Sequence, residues 1–349
     1  MNLDKFSVLN NAPIILYHRD CSDGFGAACV AEHYFRQSVI KLETPKKSKI
    51  FEKSTQNMDR LRKIKPIYFS VEPNRIIDDL QQIMGFNPES MVLSVDIGFT
   101  REAYDLLNNR FKNLIIIDHH ISTYQNLVNI NIVDLIGKEY LPTNIIFDLN
   151  KSACVLAWEY FFPNKNIPIF LLYLQDRDLY RFMEPESREI NLALFHHYPP
   201  SYIEDDRNRP DFSQWLKIML DTKSSWLQKI QSDGVILRSV QVSTINRLKR
   251  SAHKVTFADH QVMICNSSVE MSDLGNVLAE ENECDYAIVF RISGSDVFLS
   301  LRSFNLIPDL AFNVSDIARK YGGGGHQSAA SFKWSIDGFK LNRKILILK

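Results

Sequence analysis

The chain has 349 residues, 45% of them hydrophobic, which is enough for two domains with separate cores. Lys and Arg together number 41, as do Asp and Glu, and this balance argues against a protein that coats long nucleic acid by charge alone. The five cysteines are scattered without a Cys-x-x-Cys pair, which argues against a disulfide framework and a structural zinc site. The amino terminus has no apolar segment typical of a signal peptide, and no apolar run is long enough to span a bilayer, so we expect a soluble, cytoplasmic protein.

Strand-like and helix-like segments alternate in the first half of the chain. The predicted strands are 14–18, 92–96 and 113–118, and the predicted helices are 25–37, 102–110 and 152–162. A Lys-rich stretch broken by proline, 41–66, has no clear periodicity and is interpreted as a loop or a small excursion. The β–α alternation predicts an α/β lobe with a mostly parallel sheet flanked by helices.

The pattern changes after about residue 198. The segment 197–213 is rich in proline and charge and looks like a boundary. Helices are predicted from 214 to about 253, followed by strands at 254–266, 285–293 and 296–303 and by helices at 273–282 and 314–320. We therefore predict one α/β domain over 1–205, a helical linker over 206–252 and a smaller α/β domain over 253–349.

Four apolar segments end at Asp or His: 14–24, 91–98, 114–121 and 169–178. Each is interpreted as a buried strand, and the carboxyl ends of parallel strands meet in one crevice of an open α/β sheet. An acid or imidazole at a buried strand end needs a partner that offsets its desolvation, and a divalent metal is a common one. The candidate cluster consists of His18, Asp20, Asp23, Asp96, Asp118, His119, His120, Asp176 and Asp178.

The residue types in this cluster narrow its chemistry. Carboxylates with imidazoles and without thiolates suit Mn²⁺, or else Mg²⁺, Fe²⁺ or Co²⁺. The excess of Asp over His permits a bridging carboxylate and two metals, typically about 3.5–4 Å apart, with a hydroxide between them that attacks phosphorus in line.

A second concentrated motif is the glycine run in YGGGGHQSAASF, 321–332. Four consecutive glycines bring backbone N–H groups close to an anion, and His326 adds a side-chain donor. Together with Arg302 at the end of the strand 296–303, the run predicts a phosphate clamp, because Arg matches phosphate oxygens bidentately.

These motifs, in their order along residues 14–332, resemble the DHH phosphoesterase superfamily with its DHH-associated carboxyl-terminal domain. The resemblance is carried by HRDCSDGFGAA, the isolated Asp96, the Asp-His-His triplet, DRD, and SLRS followed by GGGGH. The superfamily includes RecJ-type exonucleases, nanoRNases, cyclic dinucleotide phosphodiesterases and, with a different second domain, pyrophosphatases and exopolyphosphatases. Its members often form dimers, so a homodimer is possible.

The resemblance also implies a role for each motif residue. The implied metal ligands are His18 and Asp20 on one ion, Asp23, His119 and Asp176 on the other, and Asp96 as the bridge. His120 would contact the scissile phosphate and Asp118 would orient His119 or its loop, while the far phosphate or nucleotide would contact Arg302, Ser303, Gly324, Gly325 and His326.

Three departures from the family pattern bear on these assignments. Two residues, Cys21 and Ser22, separate Asp20 from Asp23, where the commoner motif has one. The fourth motif offers both Asp176 and Asp178, so either is a candidate ligand, with Asp176 preferred and Asp178 then acting beside it in catalysis. The glycine that the family has after the GGGH alanines is a serine here.

The sequence thus predicts a phosphodiesterase of the nanoRNase or exonuclease type. It would use two Mn²⁺ ions, with Mg²⁺ or Co²⁺ as substitutes, to cleave a short oligonucleotide or a linear or cyclic dinucleotide through a metal-activated hydroxide. A phosphoanhydride hydrolase for pyrophosphate or polyphosphate is an alternative within catalysis. A nucleotide-binding sensor without activity is an alternative from another class.

Overall fold

The computed structural model describes residues 12–37, 65–127, 142–203, 206–282, 284–304, 312–342 and 344–348. The loop predicted over 41–66 lies outside these residues, apart from its last two. By compactness the chain divides into two units, Met1–His119 with Asn126–Gly234 and His120–Gln125 with Val235–Lys349. The first unit therefore extends past residue 205, and the predicted domain limits stay a prediction.

The first unit contains a five-stranded sheet in which every strand runs parallel to its neighbours. The strand order is β2-β1-β3-β4-β5, so the direction of winding reverses between β1 and β3. Its strands are β1 (Ile14–His18), β2 (Ile67–Val71), β3 (Met91–Val95), β4 (Asn113–Asp118) and β5 (Ile145–Phe147). A two-stranded hairpin, β6 (Ser201–Ile203) and β7 (Asp206–Asp211), follows later in the unit.

Eleven helices lie within the described part of the chain. They are α1 (Ser22–Gln37), α2 (Ile76–Leu80), α3 (Arg101–Arg110), α4 (Ile121–Leu127), α5 (Ala153–Phe161), α6 (Ile169–Asp178), α7 (Ser187–His197), α8 (Ser213–Met219), α9 (Ser225–Leu248), α10 (Met271–Glu281) and α11 (Val314–Lys320). Helices α4 and α9 each contain residues of both units. The predicted linker over 206–252 corresponds to β7, α8 and α9.

The apolar strands and small helix residues explain the packing of the first unit. Every residue of β3 is buried, as expected for a strand covered on both faces. Ala27 and Ala28 of α1 are fully buried, and small side chains let a helix approach its neighbours closely. A Cβ at Gly26 would lie 2.9 Å from the Leu174 side chain of α6. Glycine at this position therefore permits the close contact between α1 and α6.

The segment 169–178 is a helix, and its interpretation as a fourth strand was wrong. Its buried residues include Phe170, Leu171 and Leu174, which recur with helical spacing. Pro168 stands at the N-cap, where its missing N–H is not needed. The polar residues that the segment carries at its end are therefore presented by a helix end instead of a strand end.

The second unit is built on a six-stranded mixed sheet with the order β12-β13-β11-β10-β9-β8. Only the β9–β10 pair is parallel among its described pairings. The unit's strands are β8 (His253–Phe257), β9 (His260–Asn266), β10 (Ala287–Ser293), β11 (Asp296–Arg302), β12 (Gly324–Gly325), β13 (Ala329–Ser335), β14 (Phe339–Leu341) and β15 (Leu346–Leu348). Helix α10 contacts β10 and β11, and α11 contacts β13.

The predicted fold class is confirmed. The first unit is α/β with a parallel sheet and flanking helices, and the second is a smaller α/β unit. Within the described residues, no helix combines the length and apolarity that a membrane span requires.

Candidate metal centre

Three strands of the parallel sheet end at residues of the predicted cluster. His18 is the last residue of β1, while Asp96 and His119 directly follow β3 and β4. Asp96 has a left-handed backbone conformation, with φ of 63°, and its N–H donates to the Ile117 carbonyl at 3.0 Å. Open parallel sheets bind ligands at the point where the direction of winding reverses. In this sheet that point lies between β1 and β3, so the fold brings these residues together.

His119 is fully buried among three carboxylates. Its Nε2 lies 3.1 Å from Asp96 Oδ1, 3.4 Å from Asp178 Oδ2 and 3.5 Å from Asp23 Oδ2. The other Asp96 oxygen, Oδ2, lies 3.4 Å from His18 Nδ1. Asp96 therefore presents one oxygen to each histidine.

Two groups of metal-ligating side chains lie wholly within the described part of the first unit. One consists of Asp23, His119 and Asp178, and the other of His18, Cys21 and Asp96. In each group the potential ligand atoms lie within 4.8 Å of one another. Because Asp96 also contacts His119, it connects the two groups.

Asp23 has a structural role beside its place in the cluster. It lies in the first turn of α1, yet its carboxylate accepts hydrogen bonds from the N–H groups of Ala153 at 2.6 Å and Cys154 at 2.9 Å. These are the first residues of α5, whose own N-cap, Ser152, makes no side-chain cap bond. Asp23 is therefore the acceptor that caps α5.

Asp118 holds the backbone around the cluster. Its Oδ2 accepts a hydrogen bond from the Gly98 N–H at 3.0 Å, and its Oδ1 accepts one from the His119 N–H at 2.7 Å. The side chain is fully buried. Asp118 therefore ties the loop after β3 to the turn after β4, and the orienting role implied for it stays a prediction.

The structure separates the roles of Asp176 and Asp178. The Asp176 carboxylate accepts hydrogen bonds from the N–H groups of Met183 at 2.8 Å and Glu184 at 3.0 Å. Asp178, in contrast, directs Oδ2 toward His119, and this buried oxygen accepts no hydrogen bond within the described chain. Of the two candidate ligands, Asp178 is therefore the one that lies beside His119, contrary to the preference for Asp176, whose carboxylate stabilises the turn after α6; the ligand assignment stays a prediction.

In the first motif the structure likewise brings a different residue to the cluster from the one predicted, and the ligand role itself stays a prediction. Asp20 is exposed, has a left-handed φ of 54°, and belongs to neither group of ligating residues among those the structure describes. Cys21, half-buried, takes the place beside His18 that was predicted for Asp20. Gly24 allows this close arrangement, because a Cβ there would lie 2.8 Å from the Cβ of His18.

The electrostatics of the cluster favour a bound cation. Burial raises the pKa of Asp178, and the charges of Asp23 and Asp96 raise it further. Burial also raises the pKa of Asp23, with Asp96 adding to the rise. Burial alone would lower the pKa of His119, but Asp178, Asp96 and Asp23 raise it to about 10. Carboxylates crowded in this way around one imidazole are stabilised by divalent cations, so the residues fit a metal centre.

The same surroundings affect the Cys21 thiol. Burial raises its pKa, and the nearby charges of Asp96, Asp178 and Asp23 act in the same direction. Without a cation, the group at this position is therefore a thiol and not a thiolate nucleophile. Cys21 was not among the predicted ligands, although its position between Asp20 and Asp23 of the first motif was an available signal.

In the second unit, Arg302 ends β11 and lies against α10. Its Nη2 donates to Ser272 Oγ at 2.7 Å and its Nη1 to the Leu301 carbonyl at 2.8 Å. A Cβ at Gly275 would lie 2.9 Å from Arg302 Cγ, so glycine makes room for the stem of this side chain. The next residue, Ser303, is buried and donates its hydroxyl to the Phe312 carbonyl at 2.6 Å.

The glycine run forms part of the sheet instead of a free anion-binding loop. Gly324 and Gly325 form β12, which pairs with β13. The N–H of Gly323 donates to the Ala318 carbonyl at 2.9 Å, and that of Gly325 to Ser122 Oγ at 3.4 Å. A Cβ at Gly323 would lie only 2.1 Å from the Ser331 carbonyl oxygen, so close backbone approach explains this glycine.

The two histidines predicted to contact substrate lie together. The rings of His120 and His326 are stacked, with centroids 4.4 Å apart and planes 17° from parallel. Both residues fall within the second unit, where His120 begins the short segment 120–125. Their roles toward substrate stay predictions.

Comparison with solved structures assigns the fold. The DHH domain of a member of a family of ribosomal proteins superposes with a TM-score of 0.50 at 15% identity, covering 96% of this chain and 85% of that one. The fold is therefore that of a DHH-domain protein, which confirms the resemblance at the level of the fold. The pGpG-specific phosphodiesterase of Vibrio cholerae has a TM-score of 0.42 at 14% identity over 94% of each chain, a likeness that says nothing about activity.

The comparison by sequence adds one relative. The uncharacterized protein R106 of Acanthamoeba polyphaga mimivirus is 28% identical over 348 residues, which cover 95% of this chain and 70% of R106. No family model matches the chain.

Proposed function

We propose that this protein is a metal-dependent phosphodiesterase that hydrolyses short oligonucleotides or dinucleotides. The observation that supports this most directly is the pair of ligand groups joined by Asp96 at the reversal point of the sheet. Two cations held there would activate a water and neutralise the phosphate charge, which is the chemistry that in-line phosphoryl hydrolysis requires. Mn²⁺ is the proposed cofactor, with Mg²⁺ or Co²⁺ as substitutes.

The side chains of the first unit would divide the work as follows. Asp96 would bridge the two cations, because its oxygens face His18 and His119 separately. Asp23 and Asp178 would be the remaining protein ligands of the cation bound by His119. Asp118 would act as a positioning residue, since its carboxylate fixes the backbone on both sides of the cluster.

The second unit would supply the contacts to the substrate phosphate. Arg302 is the strongest candidate because its stem and guanidinium are held by Gly275 and Ser272, and a guanidinium fixed in this way binds phosphate with little loss of side-chain entropy. His326 and His120 are the proposed imidazole contacts. Backbone atoms of Gly324 and Gly325 would contribute less than the sequence suggested, because their strand pairing uses part of their hydrogen-bonding capacity.

A turnover panel tests this function. Metal-loaded protein is incubated with 5′-labelled RNA and DNA of two to about 24 nucleotides, linear and cyclic dinucleotides, and pyrophosphate. Cleavage of chains of two to five nucleotides alone indicates a nanoRNase-type enzyme, and digestion of long DNA to mononucleotides indicates a RecJ-type exonuclease. Phosphate release from pyrophosphate alone would replace the proposal with a phosphoanhydride hydrolase, and nucleotide binding without turnover would replace it with a sensor.

A substitution of the bridging residue links this activity to the site. Asp96→Ala should abolish turnover and reduce the content of both metals, because one carboxylate serves both groups. Asp105→Ala is the matched control, since the Asp105 side chain is about half exposed and pairs only with Arg101 among the described ion pairs. Undiminished turnover in Asp96→Ala, with Asp105→Ala unchanged, would contradict the bridging role.

A further inference from the structure

Cys21 occupies a defined place at the start of α1. Its carbonyl accepts the Phe25 N–H at 3.0 Å, which is the first hydrogen bond of that helix. Cys21 is therefore the N-cap, and its side chain lies where the helix N-terminus favours negative charge. The thiol belongs to a three-residue group with His18 and Asp96, all with potential ligand atoms within 4.8 Å of one another.

The neighbouring acid does not fill this position. Asp20 is exposed and adopts a left-handed backbone conformation, which turns the chain between the end of β1 and the start of α1. The side of Asp96 that faces His18 therefore has an imidazole, a carboxylate and a thiol as donors. The first-unit group around His119 consists of that imidazole and the carboxylates of Asp23 and Asp178.

We propose that Cys21 is a thiolate ligand of the cation held by His18 and Asp96, so that the two metal positions differ in chemistry. This inference rests on the bimetal site of the proposed function. Coordination forms a metal–sulfur bond and releases the thiol proton to solvent, with no change of oxidation state. Because a thiolate is a softer ligand than a carboxylate, this position should prefer Zn²⁺, Co²⁺ or Fe²⁺ over Mn²⁺ or Mg²⁺.

Cobalt loading gives a direct readout of the sulfur ligand. The full-length protein loaded with Co²⁺ should show a near-ultraviolet sulfur-to-cobalt charge-transfer band. Cys21→Ser should lose this band while retaining the visible cobalt absorption of the other position. Cys21→Asp should also lose the band but keep two bound cations. When Co²⁺ and Mn²⁺ compete, this variant should favour Mn²⁺ by about tenfold or more relative to the unchanged protein, a range typical of an altered metal environment.

Alkylation of the unmodified protein provides a measurement that needs no variant. Bound Zn²⁺ should slow iodoacetamide labelling of Cys21 at least about tenfold, read by peptide mass spectrometry. Cys284 is the internal control, because it is also half-buried but lies in neither ligand group, and its labelling should not change.

The outcomes separate this inference from the proposed function. The charge-transfer band with metal protection of Cys21 supports the ligand even if every phosphodiester substrate is left intact, in which case the proposed function fails. Two bound Co²⁺ ions without the band, or equal labelling of Cys21 with and without Zn²⁺, overturns the ligand even if hydrolysis proceeds. Failure of any metal to bind overturns both.

Discussion

The two acids at the end of α6 provide a matched pair of substitutions. Asp176 accepts two backbone hydrogen bonds in the turn that follows, whereas Asp178 faces His119 with a buried oxygen that accepts none from the residues the structure describes. Asn is nearly the same size as Asp but lacks its charge, so each change isolates the carboxylate's role. The structure predicts that Asp176→Asn affects folding and that Asp178→Asn affects metal binding.

The expected magnitudes follow from these contacts. Asp176→Asn turns an NH₂ group toward a backbone N–H and leaves that partly buried donor without an acceptor, at a cost of at most about 1–3 kcal/mol. For a domain of this size, that lowers the melting temperature by roughly 2–12 °C. Asp178→Asn removes one of three crowded charges, so the melting temperature of the metal-free protein should stay constant or rise.

Metal binding reverses the ranking of the two variants. A cation at about 100 times its Kd stabilises the folded protein by about 2.7 kcal/mol, or roughly 5–11 °C. Asp176→Asn should keep this increase, and Asp178→Asn should lose most of it.

Differential scanning fluorimetry with chelator and with Mn²⁺, together with metal analysis after dialysis, measures both quantities. Loss of metal in Asp176→Asn with full retention in Asp178→Asn would refute the assignment.

Three further predictions address other parts of the molecule. Gly24→Ala places a Cβ against His18 and should lower the metal affinity about tenfold or more, as measured by titration calorimetry. Gly85→Ala is the control, because its added Cβ would meet nothing within 4 Å, and it should leave the affinity unchanged. Equal affinities in the two variants would contradict the close approach of Gly24 to His18. Gly275→Ala displaces the stem of Arg302 and should raise KM for substrate with metal content intact, so an unchanged KM would argue against the phosphate contact. Burial, with the charge of Lys165 nearby, lowers the pKa of His33 to about 4. Between about pH 6.5 and pH 4 the unfolded chain therefore binds a proton at this residue that the folded chain does not, so the free energy of unfolding falls as the pH falls. His33→Gln should reduce this fall, and parallel pH profiles of the two proteins in urea titrations would refute the effect.

The parallel sheet was predictable because its central strands are continuous apolar runs that end at a charged or polar residue. The segments at 14–18 and 113–118 are strands with those bounds in the structure. Strand β2 was not predicted, since it is an edge strand with three of its five residues only partly buried, and its sequence lacks the uniform apolar signal. The run at 169–178 was misread because a short apolar segment that ends at an acid fits either element, and helical spacing decided it.

The composition of the candidate site was predictable by residue type but not by individual residue. The sequence places six aspartates near the cluster, yet backbone geometry selects among them. A left-handed turn at Asp20 leaves Cys21 beside His18, and the end of α6 directs Asp178 inward while Asp176 serves the following turn. Residue spacing encodes neither distinction. The choice of Cys21 over Asp20 depends on the backbone conformation of Asp20, and the choice of Asp178 over Asp176 depends on where α6 ends.

The cap that Asp23 provides for α5 makes two amide protons reporters on the centre. The N–H groups of Ala153 and Cys154 donate to the same carboxylate that faces His119. A cation that draws electron density from Asp23 would change the strength of both hydrogen bonds, so hydrogen exchange and amide chemical shifts at these two residues should track metal occupancy. These amide signals at the start of α5 would therefore report whether the metal centre is occupied, without any substrate present.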